Sequence, residues 1–122
     1  MGLYNFQKRF VSFIESGEKC QTIRSVRSRP DKPGNVLYLY TGLSRKGARL
    51  LMRAVCTSIE EIEFHPRSPF MRVAINGIEL SKDECEALAT CDGFQSFGDM
   101  AEFFRERLPF KGHLIRWRKE LP

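Results

Sequence analysis

The sequence predicts an α+β fold: a small, curled, mixed sheet or barrel flanked by helices, as a single domain over residues 1–122. Two observations lead there. Strand-like runs rich in β-branched and aromatic residues fill the middle of the chain, while helical spacing is confined to its start and to the stretch before the last strand. A length of 122 residues suits one domain. A chain of this size buries roughly two thirds of its surface on folding, enough for a sizeable core.

The elements follow in order. Phe6, Phe10, Phe13 and Ile14 recur at helical spacing and predict an amphipathic first helix, which Gly17 is placed to end. Gln21-Thr22-Ile23-Arg24 reads as a short strand. Ser28 to Asn35, with Pro30, Pro33 and Gly34, reads as a loop. Val36 to Tyr40 is a strand with both faces largely apolar, and Thr41 to Gly47 a basic turn. Ala48 to Phe64 carries a long strand pattern that Pro66 and Pro69 break. Met71 to Ile75 pairs through an Asn76-Gly77 turn with Ile78-Glu79-Leu80. Ser81-Lys82-Asp83-Glu84 is a capping box opening a helix of about two turns, which Asp92-Gly93 interrupts. Ser96 starts another helix with Met100, Phe103, Phe104 and Leu108 inside. Pro109 ends it, and Phe110 to Trp117 closes the chain's pattern as a final strand.

Charge is unevenly spread. Residues 1–53 hold eleven Lys and Arg against three Asp and Glu, whereas residues 54–122 hold nine against twelve. A basic half beside a mildly acidic one suggests a face turned toward a polyanion. No apolar run approaches the ~18 residues of a membrane span, and residues 1–13 lack the apolar stretch of a secretory signal. A cytoplasmic protein is therefore expected, monomeric by default. Cys20, Cys56, Cys85 and Cys91 form no C-x-x-C pair, so that even with His65 and His113 no metal site is expected, nor any cofactor. Free, mostly buried thiols are the better expectation.

Gly17-x-Lys19-x-x-Thr22-x-Arg24 resembles the signature of the ASCH domain, a branch of the PUA-like superfamily. The likeness continues through Lys32-Pro33-Gly34-Asn35-Val36-Leu37, Ala89-x-x-Asp92-Gly93-Phe94-x-Ser96, Met100-x-x-Phe103-Phe104 and Phe110-x-Gly112-His113-Leu114-Ile115-x-Trp117, in the family's order. The resemblance implies a PUA-like β-barrel with a cleft around the signature loop. PUA-like domains commonly bind RNA. Some small ASCH proteins are amidohydrolases that deacetylate N4-acetylcytidine with a Lys, a Thr and a distant acid, and another is a ribonuclease. By that resemblance Lys19, Thr22 and Asp92 are the catalytic candidates. The family's acid is Glu, and Asp92 reaches about 1.5 Å less, one carbon–carbon bond.

The residues themselves support a basic pocket. Lys19 offers a compact cation that contacts phosphate or, desolvated, acts as a base. Arg24 offers a planar fork, on the same strand face as Thr22. Gly17, Gln21, Arg24, Tyr40, Arg45 and Lys46 are the candidate binding residues, Tyr40 as a stacking platform beside the basic turn. Three function classes follow: a module binding RNA or a modified nucleoside or nucleotide, an amidohydrolase or ribonuclease, and a partner-binding adaptor without catalysis.

Overall fold

The computed structural model describes residues 2–43 and 46–121. The chain runs from β1 (Gly2–Phe6) through a 3-10 turn at Lys8–Phe10 into α1 (Val11–Ser16). It continues through β2 (Gln21–Ser25), β3 (Val36–Thr41), β4 (Arg49–Pro66), β5 (Met71–Ile75) and β6 (Ile78–Glu79). The helices α2 (Lys82–Cys91) and α3 (Phe97–Phe104) come next, then a 3-10 turn at Arg105–Arg107 and β7 (Phe110–Lys119).

The spine is β4. Its first half pairs with β3 and its second half with β5, both on one edge, while β7 runs along the other edge from Ala54 to Phe64. A register shift between Cys56 and Ser58 lets this long strand bend, as bulges do, so that its two halves serve different neighbours. Beyond β7 lies β2, antiparallel, and beyond β3 lies β1, parallel. The sheet is therefore mixed and seven-stranded, as the α+β expectation requires.

The expected barrel is not formed, because no backbone pairing joins β1 to β2. Side chains cross that gap instead. Arg24 Nη2 donates to the Asn5 carbonyl and Arg27 Nη2 to the Leu3 carbonyl, each at 2.7 Å. These two side-chain bonds bridge the strands where a barrel would carry a backbone ladder.

The start of the chain also departs from expectation. Phe6 ends a strand rather than opening a helix, and α1 begins only at Val11. Burial alternates along Gly2–Phe6 with Tyr4 and Phe6 inward, the period-2 pattern of a half-buried strand. The remaining elements occur in the expected order, but β4 runs through Pro66 instead of being broken by it, and α3 ends at Phe104, leaving Leu108 in extended backbone beyond the helix. Gly17 closes α1 at φ 85°, Asn76 and Gly77 form the hairpin turn, and Ser81 and Glu84 complete a capping box in front of a ten-residue helix. Ser96 caps α3 by accepting from the Asp99 N–H at 3.1 Å.

The inner faces of the sheet and of α2 and α3 meet in one aromatic-rich core. Phe64 packs on Phe104 and Phe110 with ring centroids 4.8 and 5.5 Å away. Phe10, Phe94 and Phe103 form a second group beside it. All four cysteines are free. Cys56 and Cys85 are buried, but Cys20 and Cys91 are exposed, so half of the thiols depart from the buried expectation. No helix among the described residues is long and apolar enough to cross a membrane.

Candidate functional site

A cleft of about 400 Å³ opens along the seam between β1 and β2, within the size range of small-ligand sites. One wall comes from the end of β1 and from Phe10, another from Thr22 to Arg27, and the far wall from Asp92, Phe94, Phe103 and Arg107.

Lys19 is led into it by the chain reversal at Gly17. Past the left-handed residue, the Lys19 N–H returns to the Phe13 carbonyl at 2.8 Å and the side chain turns inward, 2% exposed. Its Nζ lies 4.8 Å from the Phe10 ring centroid. It donates to the Asp92 main-chain carbonyl at 2.6 Å and stands 3.5 Å from Asp92 Oδ1. Asp92 is the C-cap of α2. The ammonium thus sits where unsatisfied carbonyls and the negative end of the helix dipole converge.

Gly93 makes this approach possible. Its φ is 92°, and a Cβ there would stand 3.1 Å from Phe10 and 3.2 Å from Lys19 Cδ. A side chain at this position would be strained and would displace the lysine.

The Asp92 carboxylate is held from behind. Gln21 Nε2 donates to its Oδ1 at 3.2 Å and to the Leu88 carbonyl at 3.3 Å. Burial pushes the Asp92 carboxyl above the ordinary carboxylate range, against the opposing pull of Lys19 and Gln21. Burial likewise pushes the Lys19 amine below the ordinary lysine range, against the pull of Asp92. Both directions favour the uncharged forms. Stability does not account for such a pair, since apolar replacements of a buried ion pair are often neutral or stabilising by about 1–4 kcal/mol. A desolvated amine beside a carboxyl in an open cleft is instead suited to proton exchange with a ligand.

Thr22 and Arg24 share a face, as strand alternation predicts: Arg24 Nε donates to Thr22 Oγ1 at 3.0 Å, and both line the cleft. The guanidinium of Arg24 also lies 4.8 Å over the Phe6 ring. Lys19, Thr22, Arg24 and Asp92 are therefore brought together in one cleft. Thr22 meets it with a hydroxyl already bonded to Arg24, not to Lys19 or Asp92.

The other candidates lie elsewhere. Gln21 is 2% exposed and supports Asp92 from the side away from the cleft wall. Gly17 is exposed and shapes the turn without lining the cleft. Tyr40 is half-buried on β3 and lies outside the cleft. Lys46 lines a neighbouring groove that shares only Asn5, Phe6 and Gln7 with it. Arg45 lies outside the described residues.

Sequence reasoning missed Arg27, Arg107 and the phenylalanine lining. Phe6, Phe10, Phe94, Phe103 and Phe104 all contribute to the cleft. Their apolar spacing had assigned most of them to the core, and nothing in a pattern separates a core aromatic from one at a cleft wall. Arg27 and Arg107 stand in connecting segments, where no periodicity indicates direction. No group of three or more His, Cys, Asp or Glu among the described residues could hold a metal.

Fold and cleft together define a small α+β protein with a cationic, phenylalanine-walled cleft around a buried lysine–aspartate pair. No known family pattern matches the chain, and neither does any curated protein or any solved structure.

Proposed function

We propose that this cleft binds RNA or a modified nucleoside or nucleotide. The observation that carries the reading is the composition of the lining: Arg24, Arg27 and Arg107 stand beside the buried Lys19–Asp92 pair, together with several phenylalanine rings. Cations serve a phosphate or a base edge, and aromatic rings offer stacking surfaces for a base. The resemblance of the Gly17–Arg24 run and of Ala89–Ser96 to the ASCH signature in the PUA-like superfamily supports the same reading.

The Lys19–Asp92 contact favours a second reading, hydrolysis of an N4-acylated cytidine. Thr22 Oγ would attack the acyl carbon while its proton passes to the Lys19 amine. The C–N bond would then break, with that proton returned to the departing nucleobase amine, and water would release the acyl group from Thr22. Asp92 would hold Lys19 in place throughout.

Both readings are tested on one sample. Titration with a labelled single-stranded RNA and with N4-acetylcytidine should give micromolar affinity. For the RNA it should fall steeply between about 50 mM and about 200 mM salt. Arg24→Gln should weaken it. RNA affinity indifferent to salt and to that variant would sink the binding reading. Acetate release from N4-acetylcytidine that Lys19→Ala abolishes would establish the second reading, and wild-type inactivity at high protein concentration would remove it.

A further inference from the structure

We propose that Arg24, Arg27 and Arg107 form a phosphate subsite in the cleft, so that the ligand is a phosphorylated nucleoside or a nucleic-acid strand rather than a bare nucleoside. The proposal rests on the reading of the cleft as a nucleoside site and names the group that selects its ligand.

The first argument is the pattern of ion pairs. Elsewhere on the molecule, Arg9, Arg49, Arg53, Arg67, Arg72, Arg105 and Arg116 each have a carboxylate within ion-pair distance, while Arg29 and Arg118 have none among the described residues but stand exposed outside the cleft. Among the described residues, none of the three cleft arginines has a carboxylate that close. The one acid in the lining, Asp92, already meets Lys19 and Gln21. Three fixed positive charges therefore converge without a counter-charge of their own. Their proximity is felt at Arg24, whose guanidinium is pushed below the ordinary arginine range chiefly by burial and further by Arg27 and Arg107.

The second argument is pre-organisation. Arg27 lies 3.9 Å over the Tyr4 ring, with Nη2 fixed on the Leu3 carbonyl. Arg107, on the opposite wall, lies 5.1 and 5.0 Å over the rings of Phe104 and Phe110. Arg24 is fixed by Thr22 and Asn5. Each guanidinium is oriented by a ring or a carbonyl and keeps donors unspent. A planar fork held this way loses little freedom on binding, and its geometry matches phosphate oxygens. Arg27 and Arg107 stand outside the Gly17–Arg24 run, so the subsite is a separate feature of this cleft.

The test is equilibrium binding of cytidine and cytidine 5′-monophosphate to the full chain, with inorganic phosphate as competitor. In the wild type the monophosphate should bind at least about tenfold tighter, the factor that about 1.4 kcal/mol of added contact supplies. Inorganic phosphate should compete for that advantage. In the Arg27→Gln/Arg107→Gln double variant, checked for folding by circular dichroism, the monophosphate-to-cytidine preference should shrink to about twofold. The exposed Arg107→Gln alone should remove part of it. Two short RNAs, with and without a 5′-phosphate, separate the sources: a gain only with the 5′-phosphate assigns a terminal monoester, and equal tight binding assigns an internal diester. Equal affinity for cytidine and its monophosphate, or a preference that survives in the double variant, overturns the phosphate subsite alone. If no nucleoside, nucleotide or RNA binds, the nucleoside reading falls with it.

Discussion

Lys19 and Asp92 are two ionisable groups buried against each other, and their linkage to stability has a definite sign. The folded-state value of Asp92 lies above the ~3.9 of a free aspartate. Its contribution to stability is thus complete below that pH and is lost as pH rises through the folded value. The folded-state value of Lys19 lies below the ~10.4 of a free lysine. Its contribution is complete above that pH and is lost as pH falls through the folded value. Between the two windows the pair weakens the fold most. Urea unfolding of the wild type against Lys19→Met/Asp92→Leu, from about pH 5 to about pH 10, should show a stability difference that favours the variant most near the middle and least at the ends. A pH-independent difference would disprove the assignment. The lysine was legible in the sequence because a cation beside Gly17 and Thr22 resembled a known signature. The burial that gives it this behaviour was not, since it depends on the end of α2, which is distant in the chain, and on Phe10, which only the fold turns toward the lysine.

The junction between α2 and α3 is the element that brings the acid to the lysine. Gly93 combines a left-handed backbone with a close approach to Phe10 and Lys19. Left-handed backbone costs a residue with a Cβ roughly 1–2 kcal/mol, and forcing an extra methyl into a packed site about 1–3 kcal/mol. Gly93→Ala should therefore destabilise the protein by about 2–5 kcal/mol and weaken ligand binding as Lys19 moves. Ser81→Ala, which removes the cap at the far end of α2, should cost about 1 kcal/mol and leave binding intact. Denaturant midpoints and ligand titration on both variants separate the two effects, and equal binding losses would refute this view of the junction. The strands, the turn at Asn76-Gly77 and the caps at Ser81 and Ser96 were legible because each rests on local chemistry. The strand β1 was not: Phe6, Phe10 and Phe13 satisfy a helical period, and the parallel partner of Gly2–Phe6 is supplied by β3, more than thirty residues along the chain.

At the scale of the whole molecule, the sheet is closed by side chains where a barrel would use backbone. Alternation in a sequence reports which side of a strand is buried. It does not report whether the first and last strands of a curled sheet come within pairing distance, which is why the expected barrel became an open seam. This difference has a measurable consequence. The amides of β4 between Ala54 and Phe64 lie under partners for most of that length, whereas β1 has one paired edge and meets the seam with the other. Native-state hydrogen exchange tracks such local openings. The slowest exchange should fall on β4 and β7, and markedly faster exchange on β1 and the two-residue β6. Because Asn5 and Phe6 line the cleft and Arg24 and Arg27 bridge the seam, a bound ligand should slow exchange in β1 and β2 more than in β5. Uniform slowing across the sheet would mean that ligand stabilises the fold globally, and the seam would lose its standing as the place where ligand and sheet meet.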